Sequence, residues 1–189
     1  MRTDPFGQEE TRDKVPRELV EEPHWYACRT RARAEKRVDE LLRRDGFETF
    51  LPLVEKERQW ADRKKTVAFP MFPGYTFALF TLGEYRDVLR TPGIVHVVSS
   101  RGRPVPVRPE ELESVRRFAR GIEATGRVPD PVDYLEPGTP IVVEEGPFQG
   151  MRGVLLEGRG PTRVAVRLGA IRAAVSVQMD RRSLRAVER

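Results

Sequence analysis

The chain has 189 residues, 39% of them hydrophobic and 33% charged, a size that fits one or two domains at about 100–200 residues each. One cysteine (Cys28) and two histidines (His24, His96) exclude a disulfide framework and a Cys- or His-built metal centre, and point to a reducing compartment. A net charge of +5 is compatible with a polyanionic partner without requiring one.

Residues 1–22 carry seven acids, four bases and no apolar core, so they read as a disordered or loosely ordered arm and not as a signal peptide. His24 to Arg29, with Trp25, Tyr26, Ala27 and Cys28, has the apolar density of a buried strand. Arg31 to Asp45 then changes period: Ala34, Val38, Leu41 and Leu42 fall at helical spacing, and Gly46 stands at the capping position. Glu48 to Val54 reads as extended. Glu55 to Lys65 is a charged ribbon around Trp60 with a turn at Asp62-Arg63.

The longest uncharged stretch, Thr66 to Gly83, is long enough to raise a membrane span. Pro70, Pro73 and Gly74 break it, so a core strand after a turn is the better reading, with Tyr75 to Phe80 as the strand. The expected location is cytoplasmic, with no membrane contact. Glu84 to Arg90 suits a short helix, and Ile94 to Val98 another strand. Pro109 followed by Glu110, Glu111 and Glu113 is a helix start whose acids complement the helix dipole. Alternating short strands and helices give an α+β fold with helices on an antiparallel sheet.

Between residues 122 and 137 Gly126, Pro129, Pro131 and Pro137 mark a linker. Beyond it Ile141–Val143, Val154–Leu156, Val164–Leu168, Val175–Val177 and Leu184–Val187 are short strands with Gly-rich turns, as in a small β-barrel. The charge is uneven: residues 23–123 hold 20 bases and 14 acids, a surplus of six, whereas 1–22 are net acidic.

Two stretches are distinctive in combination. The first combines Trp25-Tyr26, the later Phe50-Leu51-Pro52, and Phe72-Pro73-Gly74-Tyr75 leading into a strand. Glu145-Gly146-Pro147-Phe148-Gln149-Gly150-Met151-Arg152-Gly153-Val154-Leu155 looks like a KOW motif. In this order they resemble the NusG family of transcription elongation factors. Trp60-Ala61-Asp62-Arg63-Lys64-Lys65 and Thr91-Pro92-Gly93-Ile94-Val95 look closest to its specialised RfaH and UpxY paralogues. The resemblance implies a ferredoxin-like N-terminal domain over 23–121, a linker over 122–137 and an SH3-like KOW barrel over 138–189. It also implies a monomer without cofactors that docks on the clamp helices and gate loop of RNA polymerase and suppresses pausing.

On that reading Phe69, Phe72, Pro73 and Tyr75 present a rigid aromatic surface to polymerase, and buried aromatic anchors of this kind are worth about 2 kcal/mol or more each. Replacing Phe72 and Tyr75 by Ala is expected to leave the fold intact. Arg31, Arg33, Lys36 and Arg37, with Arg33 and Arg37 on one helix face, suit phosphates, and RfaH-like paralogues read non-template DNA with this region. Arg63, Lys64 and Lys65 add a basic hairpin tip near upstream DNA. The alternative is a solvated helix face in which these cations pair with Glu35, Asp39 and Glu40.

In the barrel, Gly146, Gly150 and Gly153 permit positive φ and close approach, with Pro147 and Phe148 at the same corner. Leu168 to Val177 departs from the Phe-Gly-Arg-x-Thr-Pro pattern of housekeeping members. That departure weakens the case for recruiting Rho or a small-subunit ribosomal protein and favours antitermination. The rivals are a housekeeping factor that assists Rho-dependent termination and a KOW-containing ribosomal or translation protein. An enzyme is disfavoured, because Cys28 and His24 have no third partner.

Overall fold

The computed structural model describes residues 17–59, 64–135, 137–156 and 160–187, with Glu57, Arg58, Gln59, Lys64 and Lys65 as backbone only. In chain order the elements are α1 (Arg17–Glu21), β1 (His24–Thr30), α2 (Glu35–Arg44), β2 (Glu48–Phe50), β3 (Leu53–Gln59), β4 (Lys64–Pro70) and β5 (Tyr75–Phe80). They continue with α3 (Tyr85–Arg90), β6 (Ile94–Val97), the two-residue strands β7 (Ser99–Ser100) and β8 (Arg103–Pro104), and α4 (Pro109–Thr125). Last come β9 (Asp130–Val132), β10 (Gly138–Val143), β11 (Arg152–Leu156), β12 (Arg163–Leu168), β13 (Ala173–Gln178) and β14 (Leu184–Ala186). Two compact units result: one from residues up to Leu51 plus Pro73–Val107, the other from Pro52–Phe72 plus Arg108–Arg189.

The first unit is an antiparallel sheet of order β2-β5-β1-β6. Taken with α2 and α3, the succession β1-α2-β2-β5-α3-β6 in that spatial order is the ferredoxin-like arrangement, the hairpin of β3 and β4 being an excursion between its second and third strands. Register places Tyr26 opposite Ala78 and Cys28 opposite Thr76. On one face Tyr26, Cys28, Ala78 and Phe80 pack with Val38 and Leu42 of α2 and Val88 of α3. The Tyr26 and Phe80 rings lie 4.6 Å apart, a contact worth about 0.5–1.5 kcal/mol beyond area burial.

Two expectations change here. Residues 17–21, placed in the loose arm, form α1, because Leu19 finds an apolar seat against this core. Helix α2 begins at Glu35 and not at Arg31, because Arg33 adopts φ 63, a left-handed turn conformation incompatible with a helix.

The second unit joins the β3–β4 hairpin and α4 to a six-stranded antiparallel sheet of order β14-β10-β11-β12-β13-β9. Its interior is Ile141, Val143, Met151, Val164, Val166, Leu168, Val175 and Val177, all buried. The five expected C-terminal strands are present. Within the expected linker, however, α4 runs on to Thr125, and Asp130–Val132 adds a sixth strand against β13. Pro131 sits on this edge strand, where a missing N–H is tolerated.

Pro109 starts α4, and Gly126 ends it at φ 65. The buried face of the helix includes Leu112, Phe118, Gly121 and Ile122. Phe118 meets Phe148 from the β10–β11 loop with ring centroids 6.0 Å apart. Arg117 donates to the Gln149 carbonyl at 3.0 Å, and Glu111 accepts from the Gly169 N–H at 3.1 Å. Three points along one helix face thus fasten α4 to the sheet.

Candidate functional site

The connection from β1 to α2 carries the cations. Arg31, Arg33 and Lys36 are exposed, and no ion pair involves them among the described residues. Arg37 pairs with Glu40 at 3.5 Å, Arg43 with Asp39 at 3.1 Å, and Arg44 with Asp45 at 3.3 Å. Arg37, Arg43 and Arg44 are thus paired, while Arg31 and Arg33 in the loop and Lys36 in the first turn of α2 have no ion pair among the described residues. Arg33 lies outside α2, so the expected helical face shared by Arg33 and Arg37 does not exist.

Glu35 departs from expectation more sharply. Read as a partner for neighbouring arginines, it is only 6% exposed, and its carboxylate accepts a hydrogen bond from the Gly74 N–H at 2.7 Å. The Gly74 carbonyl accepts from the Thr30 N–H at 2.9 Å, so both backbone groups of Gly74 are held by one segment. Gly74 has φ +82, which requires glycine, and the Arg29 guanidinium lies where its Cβ would stand, with Cζ 2.9 Å from that point. The Arg29 guanidinium carbon also sits 4.8 Å from the centre of the half-buried Tyr75 ring, a cation–π geometry. Glu35 carries no signal that marks it in sequence: it is an acid between bases, 39 residues from its partner.

The four aromatic-turn residues are divided by the unit boundary. Phe69 and Phe72 belong to the second unit, Pro73 and Tyr75 to the first. Phe72 is 3% exposed, which corrects the expectation that its ring is presented and removable without loss of fold. Phe69 is half-buried on β4, opposite Val54, and Pro73 is exposed. Arg63, with Trp60, Ala61 and Asp62, lies outside the described residues; Lys64 and Lys65 open β4.

In the second unit Gly146 (φ +84) and Gly150 (φ +78) take the left-handed conformations expected of them. Gly153 does not. It lies within β11, where a Cβ would come within 2.7 Å of the Ala165 carbonyl oxygen, so close strand approach is its reason. Pro147 is exposed and Phe148 buried.

Burial also acts on two titrating groups in the first unit. Cys28 is fully buried, and desolvation pushes its thiol from near 9.0 to about 12; the same cause raises the Tyr26 phenol from 10.0 to about 12. A thiol held protonated in this way is a core side chain and no nucleophile. Among the described residues no helix is long and apolar enough to cross a membrane, and no group of three or more His, Cys, Asp or Glu could hold a metal.

Residues 23–116 match the sequence family described as "Transcription termination factor nusG". The transcription termination/antitermination protein NusG of Deinococcus radiodurans is 31% identical, over 82% of this chain and 95% of its own length. The chain belongs to the NusG family. The NusG of Thermus thermophilus is 29% identical over 75% of this chain and 88% of its own. A solved structure titled "Domain interaction in Thermotoga maritima NusG" covers 89% of this chain at a TM-score of 0.50 and 24% identity, which establishes a shared fold. The mixed α+β architecture with a sheet-rich C-terminal part is that of the NusG N-terminal and KOW domains. A NusG-type protein is a transcription factor without catalytic activity, and this chain is one.

Proposed function

We propose that this chain is a specialised NusG-family factor of the RfaH/UpxY type, which docks on the clamp helices of RNA polymerase, reaches the opposite gate loop and suppresses pausing and termination. NusG-family factors bind RNA polymerase in general. The observation that supports the reading is the Pro73-Gly74-Tyr75 turn, fixed by Arg29, Thr30 and Glu35, together with Arg31 and Arg33 exposed on the same connection and Lys36 in the first turn of α2. Pro73 and Tyr75 are the polymerase-facing residues, with the half-buried Phe69 of β4 and the buried Phe72 completing the set. Arg31, Arg33 and Lys36, aided by Arg37, contact the phosphates of exposed non-template DNA, and Arg63, Lys64 and Lys65 lie toward upstream DNA.

Functionally the chain divides into an N-terminal module over 23–121 and the KOW module over 138–189, the connecting 122–137 carrying the end of α4 and the strand β9, and it acts as a cytoplasmic monomer. The family match supports this division, since it ends at residue 116. The missing Phe-Gly-Arg-x-Thr-Pro pattern at Leu168–Val177 argues against Rho as partner of the KOW module.

The test is transcription in vitro through a pause site and a Rho-dependent terminator with purified full-length protein. Shortened pauses and increased read-through are expected, both lost in Tyr75→Ala. Enhanced Rho-dependent termination by the wild type would overturn the specialised reading and identify a housekeeping factor.

A further inference from the structure

We infer that Glu35 is a positioning residue for partner docking: its buried carboxylate holds the Pro73–Tyr75 turn in the conformation that meets the partner. The inference rests on the reading that this turn faces polymerase. An acid at the first position of a helix ordinarily stays in solvent, where it complements the dipole. Glu35 instead turns inward, and desolvating a carboxylate costs several kcal/mol unless hydrogen bonds replace water. The Gly74 N–H supplies such a bond at 2.7 Å, within the short range of charge-assisted bonds. What holds the turn is the buried acceptor itself, which a glutamine would also supply.

The rest of the turn is held just as tightly. Thr30 N–H donates to the Gly74 carbonyl, and the Arg29 guanidinium fills the space where a Cβ would stand and lies over the Tyr75 ring. Three residues of β1 and α2 therefore hold a turn some 40 positions downstream, and each holds it by a different interaction. A turn fixed before it meets its partner loses less conformational freedom on docking, and the saving appears as affinity. Without the Glu35 acceptor the Gly74 N–H is buried and unpartnered, and the turn is free to leave its conformation.

The test uses full-length protein at 25 °C with Glu35→Ala, Glu35→Gln and Tyr75→Ala, each first shown to be folded by circular dichroism. Affinity for a reconstituted elongation complex and hydrogen exchange of the Gly74 amide are measured in parallel. Glu35→Ala should weaken binding about tenfold and speed Gly74 exchange, while Glu35→Gln, which keeps the acceptor, should stay within about threefold of wild type on both. Wild-type affinity in a folded Glu35→Ala would overturn the inference and leave Glu35 a purely structural residue. Equal loss in Ala and Gln variants would also overturn it, because the effect would then follow the charge and not the held turn. If Tyr75→Ala binds as wild type, the docking reading itself fails, and an unchanged Gly74 exchange rate in Glu35→Ala would separately refute the positioning.

Discussion

Gly121 on α4 sets two opposing effects against each other. In an exposed helix interior Gly→Ala stabilises by about 1 kcal/mol, because alanine has less backbone freedom to lose. Here a Cβ at residue 121 would lie 2.7 Å from Cγ of Phe148 and closer still to two further ring carbons. Something must shift, and the ring is not free to swing away: Phe148 is 3% exposed and stands against Phe118. Overpacking of this kind costs about 1–3 kcal/mol, so Gly121→Ala should be net destabilising by up to about 2 kcal/mol.

The cycle with Phe148→Ala isolates the contact. That single change should cost about 3–5 kcal/mol through the cavity it leaves. In its background Gly121→Ala should turn stabilising by about 1 kcal/mol, giving a coupling energy of about 1–3 kcal/mol. Urea denaturation followed by circular dichroism measures all four proteins. If Gly121→Ala stabilises the wild type, or the two changes are additive, then α4 does not rest on Phe148, and the account of how the helix is fastened is wrong.

Phe72→Ala should destabilise by about 3–5 kcal/mol in the same assay, since its ring is buried; a loss below about 1 kcal/mol would show that the ring is dispensable to packing. The burial of Cys28 and Tyr26 makes stability fall in alkali. Both groups keep their proton in the folded protein up to about pH 12, but release it in the unfolded chain from about pH 9 for the thiol and pH 10 for the phenol. Over that window the folded state binds more protons, so the unfolding free energy declines as pH rises and is unaffected below pH 8. Urea midpoints from pH 7 to 11 check the slope, and a flat profile would contradict the burial.

Local signals in the chain predicted those elements whose stability is local. Pro109 and the acids after it specify the start of α4. The apolar density of Trp25–Cys28 and Tyr75–Phe80 specifies the two central strands. What escaped depends on distant residues. Strand β9 is an Asp-Pro-Val segment that is extended only because β13 offers it an edge. Leu19 orders a charged segment only because a core lies beneath it. Phe72 shares a tetrapeptide with Tyr75, yet the two rings end in different units, a distinction no spacing rule contains. Within the candidate site the loop cations were legible as exposed charge. The Glu35–Gly74 bond and the Arg29–Tyr75 stack were not, because each joins residues about 40 or more apart and neither type of residue implies the other.

The excursion of residues 52–72 has a topological consequence. Because the second unit takes a hairpin from the middle of the first unit's sequence, the chain passes between the units three times, at 51/52, 72/73 and 107/108. Cleavage in the 126–129 segment therefore differs from removal of a terminal domain. It leaves α4 and the hairpin with the N-terminal product and strips the sheet of the helix that covers Phe148. Cleavage at any one of the three passages leaves the other two intact, so no single proteolytic nick sorts these residues into the two units the folded chain displays.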